Sequence, residues 1–255
     1  MRFDLSFKSD DHLKRYLKHL GLSHEGPSLI YLNQIIFAHQ HKVPFETFTR
    51  VADFHSFLDH LNPIPTFIER LDLGYGGTCW TLARGFHWLL KQLGFEAKYY
   101  YMDPGHVCVV VKLDGEDYYC DVGYAAPFFQ AKPLKKNFLA TSPLEVFKYE
   151  VKGETVVVTR TPNGPTKTLI LKPQTPMEIN AHFEKWNVPT SKFVTGLTIQ
   201  KFFSKKLLRL SGNTLIGDGP ERQLTDAEVI EVLVTRFGIY PQIFNEAKTK
   251  LASFL

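Results

Sequence analysis

The sequence predicts an α+β fold: helices first, an antiparallel sheet or barrel in the middle, and a mixed α/β segment last. Three observations carry that reading. Apolar residues recur at helical spacing through the N-terminal third, the period drops to two from about Phe95 in runs rich in β-branched and aromatic residues, and both patterns occur after Pro189. The corresponding divisions are 1–93, 94–195 and 196–255. No internal repeat, low-complexity tract or flexible linker interrupts them.

Asp11 to Leu20 places Leu13, Tyr16, Leu17 and Leu20 on one stripe, and Gly21 stands where a helix ends. Leu29 to His41 repeats the pattern through Leu29, Leu32, Ile36 and either Phe37 or His39. Thr81 to Leu93 is the clearest helix, with Leu82, Phe86, Leu89, Leu90 and Leu93 in phase before Gly94. The runs AKYYYM, HVCVVVKL, DYYCDV, EVFKYEVKGETVVVTR and TKTLILKP then read as strands, separated by Pro-Gly, Asp-Gly and Lys-Gly turns. The tail holds a basic amphipathic stretch from Leu197 to Leu210 and a hairpin through Ser211-Gly212-Asn213. A last helix opens at Thr225-Asp226-Ala227-Glu228, which has capping-box spacing.

At 255 residues, 44% hydrophobic and 22% charged, the chain can bury a substantial core without covalent staples. Its formal charge of +4, from 30 Lys+Arg against 26 Asp+Glu, is too small and too dispersed for a nucleic-acid-binding face. No stretch suggests a signal peptide or a membrane span, so a cytoplasmic protein is expected. Cys79, Cys108 and Cys120 are odd in number and lack disulfide or zinc spacing, which suits free thiols in a reducing compartment. His39, His41, His55, His60 and His87 form no pair with ligand spacing, and no metal is expected. Lys132, Lys135 and Lys136, and the group Lys201, Lys205, Lys206 and Arg209, read as solvated faces that could also meet phosphates.

Chemistry concentrates at three residues. Cys79, in Gly76-Gly77-Thr78-Cys79-Trp80, falls at the start of the clearest helix, whose positive end favours the thiolate. The two glycines allow a sharp turn and a close approach of substrate to backbone amides that could serve as oxyanion donors. Asp114-Gly115 is a preferred two-residue hairpin turn and sets Leu113 opposite Glu116. Counting outward, Cys108 lies opposite Asp121 and His106 opposite Gly123, so His106 and Asp121 are diagonal neighbours on one face. A slip of one residue separates them. Each also has a plain structural reading: Cys79 as a small buried hydrophobe, His106 as a strand-end histidine near solvent, Asp121 as a turn residue. Taken together they supply a nucleophile, a base and a carboxylate that fixes the imidazole tautomer.

These residues are also where the sequence resembles the arylamine N-acetyltransferases. GYGGTCW around Cys79, the LGF that ends the following helix, His106 before an apolar strand, and DVGYAAPF from Asp121 to Phe128 are similar to that family's motifs in order. YLKHLGL, HKVPFETF, PTSKF and RFGI extend the resemblance over nearly the whole chain. The pattern departs at Tyr75, Thr78, Thr81, Ala83, His19 and Thr47, and the interval from Cys79 to His106 is short for the family. The resemblance implies a helical bundle bearing the cysteine, a β-barrel bearing His and Asp, and an α/β lid, with a papain-like catalytic core. It further implies Cys79, His106 and Asp121 as the catalytic triad, and ping-pong transfer of an acetyl group from acetyl-coenzyme A to an arylamine or arylhydrazine. Thr190, Ser191 and Lys192 match the coenzyme-contact region. Phe45, Tyr75, Tyr124 and Phe128 would bound the acceptor pocket, although plain core packing also accounts for such aromatics. The same triad would serve a cysteine hydrolase or an amide synthase, and the scaffold could equally carry a catalytically silent binding protein.

Overall fold

The computed structural model describes residues 5–55, 61–142, 145–162, 164–217 and 219–254; His60 lies outside them. Five helices come first: α1 (Leu5–Leu20), α2 (Leu29–Lys42), α3 (Phe48–Phe54), α4 (Ile64–Asp72) and α5 (Cys79–Gln92), with the two-residue strand β1 (Phe45–Glu46) between α2 and α3. Helix α2 starts where Ser28 accepts a hydrogen bond from the Tyr31 amide. Its inward face carries His39, whereas Phe37 is 53% exposed, so the stripe resolves in favour of the histidine. Helix α5 buries Leu82, Phe86, Leu89 and Leu90, each burial stabilising by about 2 kcal/mol.

Eight strands follow: β2 (Glu96–Asp103), β3 (His106–Leu113), β4 (Glu116–Cys120), β5 (Lys132–Pro133), β6 (Phe138–Thr141), β7 (Val146–Lys152), β8 (Thr155–Thr161) and β9 (Lys167–Gln174). They pair in the order β5-β4-β3-β2-β9-β8-β7-β6, an antiparallel sheet curled into a nearly closed barrel. The β3–β4 register is Leu113 opposite Glu116 and Val109 opposite Cys120, as the turn predicts. Asp114 and Gly115 both take positive φ, 51° and 81°, the geometry that matches the twist of the flanking strands. Val107, Val109 and Val111 face the helical core while Cys108 and Val110 face the barrel interior. Burial on both faces is why β3 reads as a continuous apolar run.

Helices α6 (Pro176–Trp186) and α7 (Lys192–Thr195) lead to β10 (Thr198–Phe203), β11 (Lys206–Ser211), β12 (Thr214–Ile216) and β13 (Arg222–Gln223). The chain ends in α8 (Asp226–Val232), a π-helical turn over Leu233–Phe237, and α9 (Gln242–Phe254). The Thr225–Glu228 capping box forms as the spacing predicts; a second, Thr175–Glu178, starts α6. The basic stretch from Leu197 to Leu210 forms the β10–β11 hairpin, with Leu208 and Leu210 turned into the core. β1 completes this five-stranded sheet at the β10 edge, Phe45 lying opposite Gln200, while Phe45 also bridges Gly77 just before the cysteine. Among the described residues no helix is long and apolar enough to cross a membrane.

Candidate active site

Cys79 is the first residue of α5, with Thr78 as the extended cap residue before it. The Gly76-Gly77 turn that delivers it passes close to the end of α2: a Cβ on Gly76 would lie 2.0 Å from the Pro44 carbonyl oxygen. Gly123 is equally constrained, since its Cβ would stand 2.9 Å from Cys79 Cα. The segment after β4 therefore runs directly over the nucleophile, and glycine is what permits the contact. Backbone N–H groups in the first turn of α5 have no partner within the helix.

His106 begins β3 and is 2% exposed. Its Nε2 donates to Asp121 Oδ2 at 2.7 Å, and the Cys79 side chain is near enough to act on the ring as well. With Nε2 taken by the carboxylate, Nδ1 is the nitrogen left for sulfur. Asp121, also 2% exposed, is held by more than the imidazole. Tyr119 Oη donates to Oδ2 at 2.6 Å, and the amides of Gly123 and Tyr124 donate to Oδ1 at 3.0 Å each. Gln40 Nε2 adds a bond to the Asp121 carbonyl at 3.1 Å. Burial works to lower the His106 pKa, but the charge and hydrogen bond of Asp121, helped by Cys79, outweigh it and raise the value to about 9. The imidazole is thus held as imidazolium at neutral pH.

A cavity of about 630 Å³ opens onto Cys79, His106 and Gly123. Phe45 and Tyr124 line it, as does Lys192. Tyr75 and Phe128 do not. Tyr75 is wholly buried under the small sheet, where its hydroxyl donates to the Tyr240 carbonyl and accepts from the Phe244 amide at 3.1 Å. Phe128 fills the barrel interior against Tyr119 and Phe147, at ring separations of 5.8 and 5.5 Å. Adjacency to Cys79 and Asp121 in sequence misleads here because both rings turn away from the reacting face. Ser191 caps α7 by accepting from the Phe193 amide, and Thr190 is exposed away from the cavity lining. Of the basic group around β10 and β11, Lys201 and Arg209 are drawn inward, Lys201 Nζ onto the Phe237 carbonyl and Arg209 onto Gln200.

Sequence reasoning did not single out Tyr119, although strand parity puts it on the same face as Asp121. Glu145, Arg160, Lys167 and Trp186, which also line the cavity, carry no short-range signal. Among the described residues no group of three His, Cys, Asp or Glu side chains could hold a metal.

A thiol at a helix N-terminus, joined through an imidazole on a neighbouring antiparallel sheet to a buried carboxylate, has the form of a papain-like activated-thiol centre. A family model described as N-acetyltransferase matches residues 28–243. The chain belongs to that family, the arylamine N-acetyltransferases. The arylamine N-acetyltransferase from Mycobacterium abscessus superposes with a TM-score of 0.77 at 22% identity, over 99% of each chain. That from Mycobacterium marinum, solved in complex with CoA, gives 0.77 at 19% identity, over 94% of this chain and 98% of its own. At such identities the likeness shows the fold. Proansamycin X synthase from Amycolatopsis mediterranei is 29% identical over 135 residues, which cover 48% of this chain and 51% of that one, so the chain matches about half the length of this curated relative.

Proposed function

We propose that this chain moves an acetyl group from acetyl-coenzyme A, through a thioester on Cys79, to the nitrogen of an arylamine or arylhydrazine. The observation that carries the reading is the buried His106–Asp121 hydrogen bond at 2.7 Å, with Cys79 and His106 lining one cavity. In the first half, the Cys79 thiolate attacks the acetyl carbonyl, the bond to the coenzyme sulfur breaks, and the departing thiolate takes the His106 proton. In the second, the amine nitrogen attacks the thioester, its proton passes to His106, and the Cys79 thiolate is restored. The first-turn amides of α5, which have no partner within the helix, would hold the carbonyl oxygen as charge gathers on it. Asp121 keeps the ring in one tautomer and one orientation. Lys192 at the mouth suits a phosphate of the donor. The three cysteines are free thiols, which suits a cytosolic setting.

Incubation with acetyl-coenzyme A followed by intact-protein mass spectrometry tests the reading. One acetyl group is gained, and it leaves when an arylamine is added. A reactive thiol that never takes the acetyl group would instead mark a hydrolase or an amide synthase, and an inert thiol would mark a binding protein.

The pH profile follows from the raised His106 value. The imidazolium persists until about pH 9, so acetyl transfer holds through neutral pH and declines above 9, where the proton needed by the departing coenzyme is lost. Alkylation of Cys79 by iodoacetamide needs no such proton and does not decline there. Because the value is raised on folding, its contribution to stability is complete below the ordinary histidine range near 6.5 and disappears as pH passes through 9. Parallel rate and alkylation measurements from about pH 6 to 10 check the divergence.

A further inference from the structure

The turn that presents His106 is tied down at more points than a short hairpin loop needs in order to close. Met102 lies opposite His106 across β2 and β3, so Asp103, Pro104 and Gly105 make the turn, with Gly105 at a φ of 62°. Each of the three has an anchor. The Asp103 carboxylate accepts from Tyr101 Oη at 3.1 Å, the Gly105 amide donates to the same oxygen at 3.0 Å, and the Pro104 carbonyl accepts from Lys167 Nζ on β9. Trp186, the last residue of α6, adds a fourth tie. Its Nε1 donates to Tyr101 Oη at 3.0 Å, and its ring covers Gly105 so closely that a Cβ there would stand 2.8 Å away.

One phenol hydroxyl thus serves three partners, one proton given and two lone pairs filled, which is its whole capacity. Burial raises its pKa, so the proton donated to Asp103 is retained. The ring is held as well. His182 of α6 stacks on it at 3.7 Å and 5°, Trp80 stacks on it at 6.4 Å and 30°, and Phe183 of α6 stands against Trp80 at 5.8 Å. Helix α6 therefore braces both the residue that follows the nucleophile and the loop that precedes the base. Tyr101 does not line the cavity, and its hydroxyl has nothing left to offer a ligand.

Acyl transfer needs the imidazole to serve sulfur with one nitrogen while the other stays on Asp121, and the first residue of a strand is where a hairpin shifts most freely. We propose that Tyr101 is a positioning residue for that step: through Asp103, Gly105 and Trp186 its hydroxyl fixes the turn that sets where the His106 ring stands. The proposal rests on the acetyl-transfer reading for the step it serves. The titratable groups around His106 are Cys79, Asp121 and Tyr124, whose ring lies 4.7 Å away, with Asp103 and Lys167 on the side of the turn. None of the Tyr101 hydrogen bonds goes to the first three, so its influence on the imidazole runs through the turn.

The test is Tyr101→Phe, which keeps the ring and removes the three bonds. Its kcat for aniline acetylation, the KM for acetyl-coenzyme A and for aniline, the thermal melt, and a nitrogen-15 NMR titration of the histidine rings are measured beside the wild type, with His106 assigned through His106→Gln. Tyr101→Phe lowers kcat about 10-fold and leaves both KM values within about twofold. It also lowers the proton affinity of His106 about 10-fold from its value near 9, because a drifting ring loses the Asp121 bond while it stays buried. Trp186→Phe, which spares the bonds to Asp103 and Gly105, costs no more than about threefold in kcat. Should Tyr101→Phe fail to fold, Asp103→Ala leaves the Tyr101 ring in its stack and moves kcat and the His106 titration in the same direction by about threefold. A lower Tm with kcat and the His106 titration unchanged, or a rise confined to KM, overturns the proposal. The titration needs no acyl donor: a wild type that takes no acetyl group, with His106 still disturbed in Tyr101→Phe, supports the positioning role and overturns the acetyl-transfer reading instead.

Discussion

Replacing Cys79 by serine abolishes the acetyl-enzyme and lowers turnover at least about 10⁴-fold, because a hydroxyl in the same position is not ionised by a neighbouring imidazole. The fold is untouched by the exchange. Cys79 is 4% exposed and serine is slightly smaller, so stability changes by no more than about 1 kcal/mol. Intact mass after exposure to acetyl-coenzyme A, read beside a thermal melt, separates the two effects. A Cys79→Ser protein that still accumulates an acetyl group would assign the acyl carrier to another residue. Cys108 and Cys120 are poor substitutes: both are buried, and burial raises each thiol pKa far from the ionised range.

Replacing Asp121 by asparagine has two consequences of comparable weight. The carboxylate accepts from four donors, His106 Nε2, Tyr119 Oη and the amides of Gly123 and Tyr124, and an amide nitrogen in place of one oxygen faces donors with a donor. Breaking a buried charged network in this way costs about 3 kcal/mol, or a fall in Tm of about 9 °C for a chain of this size. Turnover falls about 10³- to 10⁴-fold, since the ring loses its tautomer and its charge. With the opposing carboxylate removed, burial governs His106 and its pKa drops from about 9 to below the ordinary range. The high-pH decline of the residual rate therefore moves to lower pH. An Asp121→Asn enzyme that melts as the wild type does and keeps its decline near pH 9 would show that the carboxylate neither supports the loop nor sets the imidazole.

The places of Cys79 and of the His106–Asp121 pair were legible in the sequence because two local rules fix them, whereas the packing of α5 on β3 brings the two together. A helix start places Cys79, and a two-residue turn with positive φ at both positions leaves β3 and β4 no freedom to slip. The cavity wall obeys no such rule. Glu145 precedes β7, Arg160 lies on β8 and Arg209 on β11, so their meeting depends on how the barrel and the small sheet come together. Tyr75 and Phe128 show the opposite error, in which closeness along the chain is taken for closeness in space. β1 escaped notice because two residues give no period, and the sequence leaves Phe37 open against His39 because each continues the α2 stripe at helical spacing.

Those two residues of β1 link the small sheet to the turn that precedes the nucleophile. Phe45 pairs with Gln200 of the small sheet and bridges Gly77, two positions before the sulfur, while Phe48 and Tyr75 lean on Phe244 of the terminal helix. The C-terminal segment thereby acts as a buttress for the turn that carries the thiol. Loss of the last helix would therefore loosen the nucleophile's turn together with the core cluster that Phe244 and Ala247 complete.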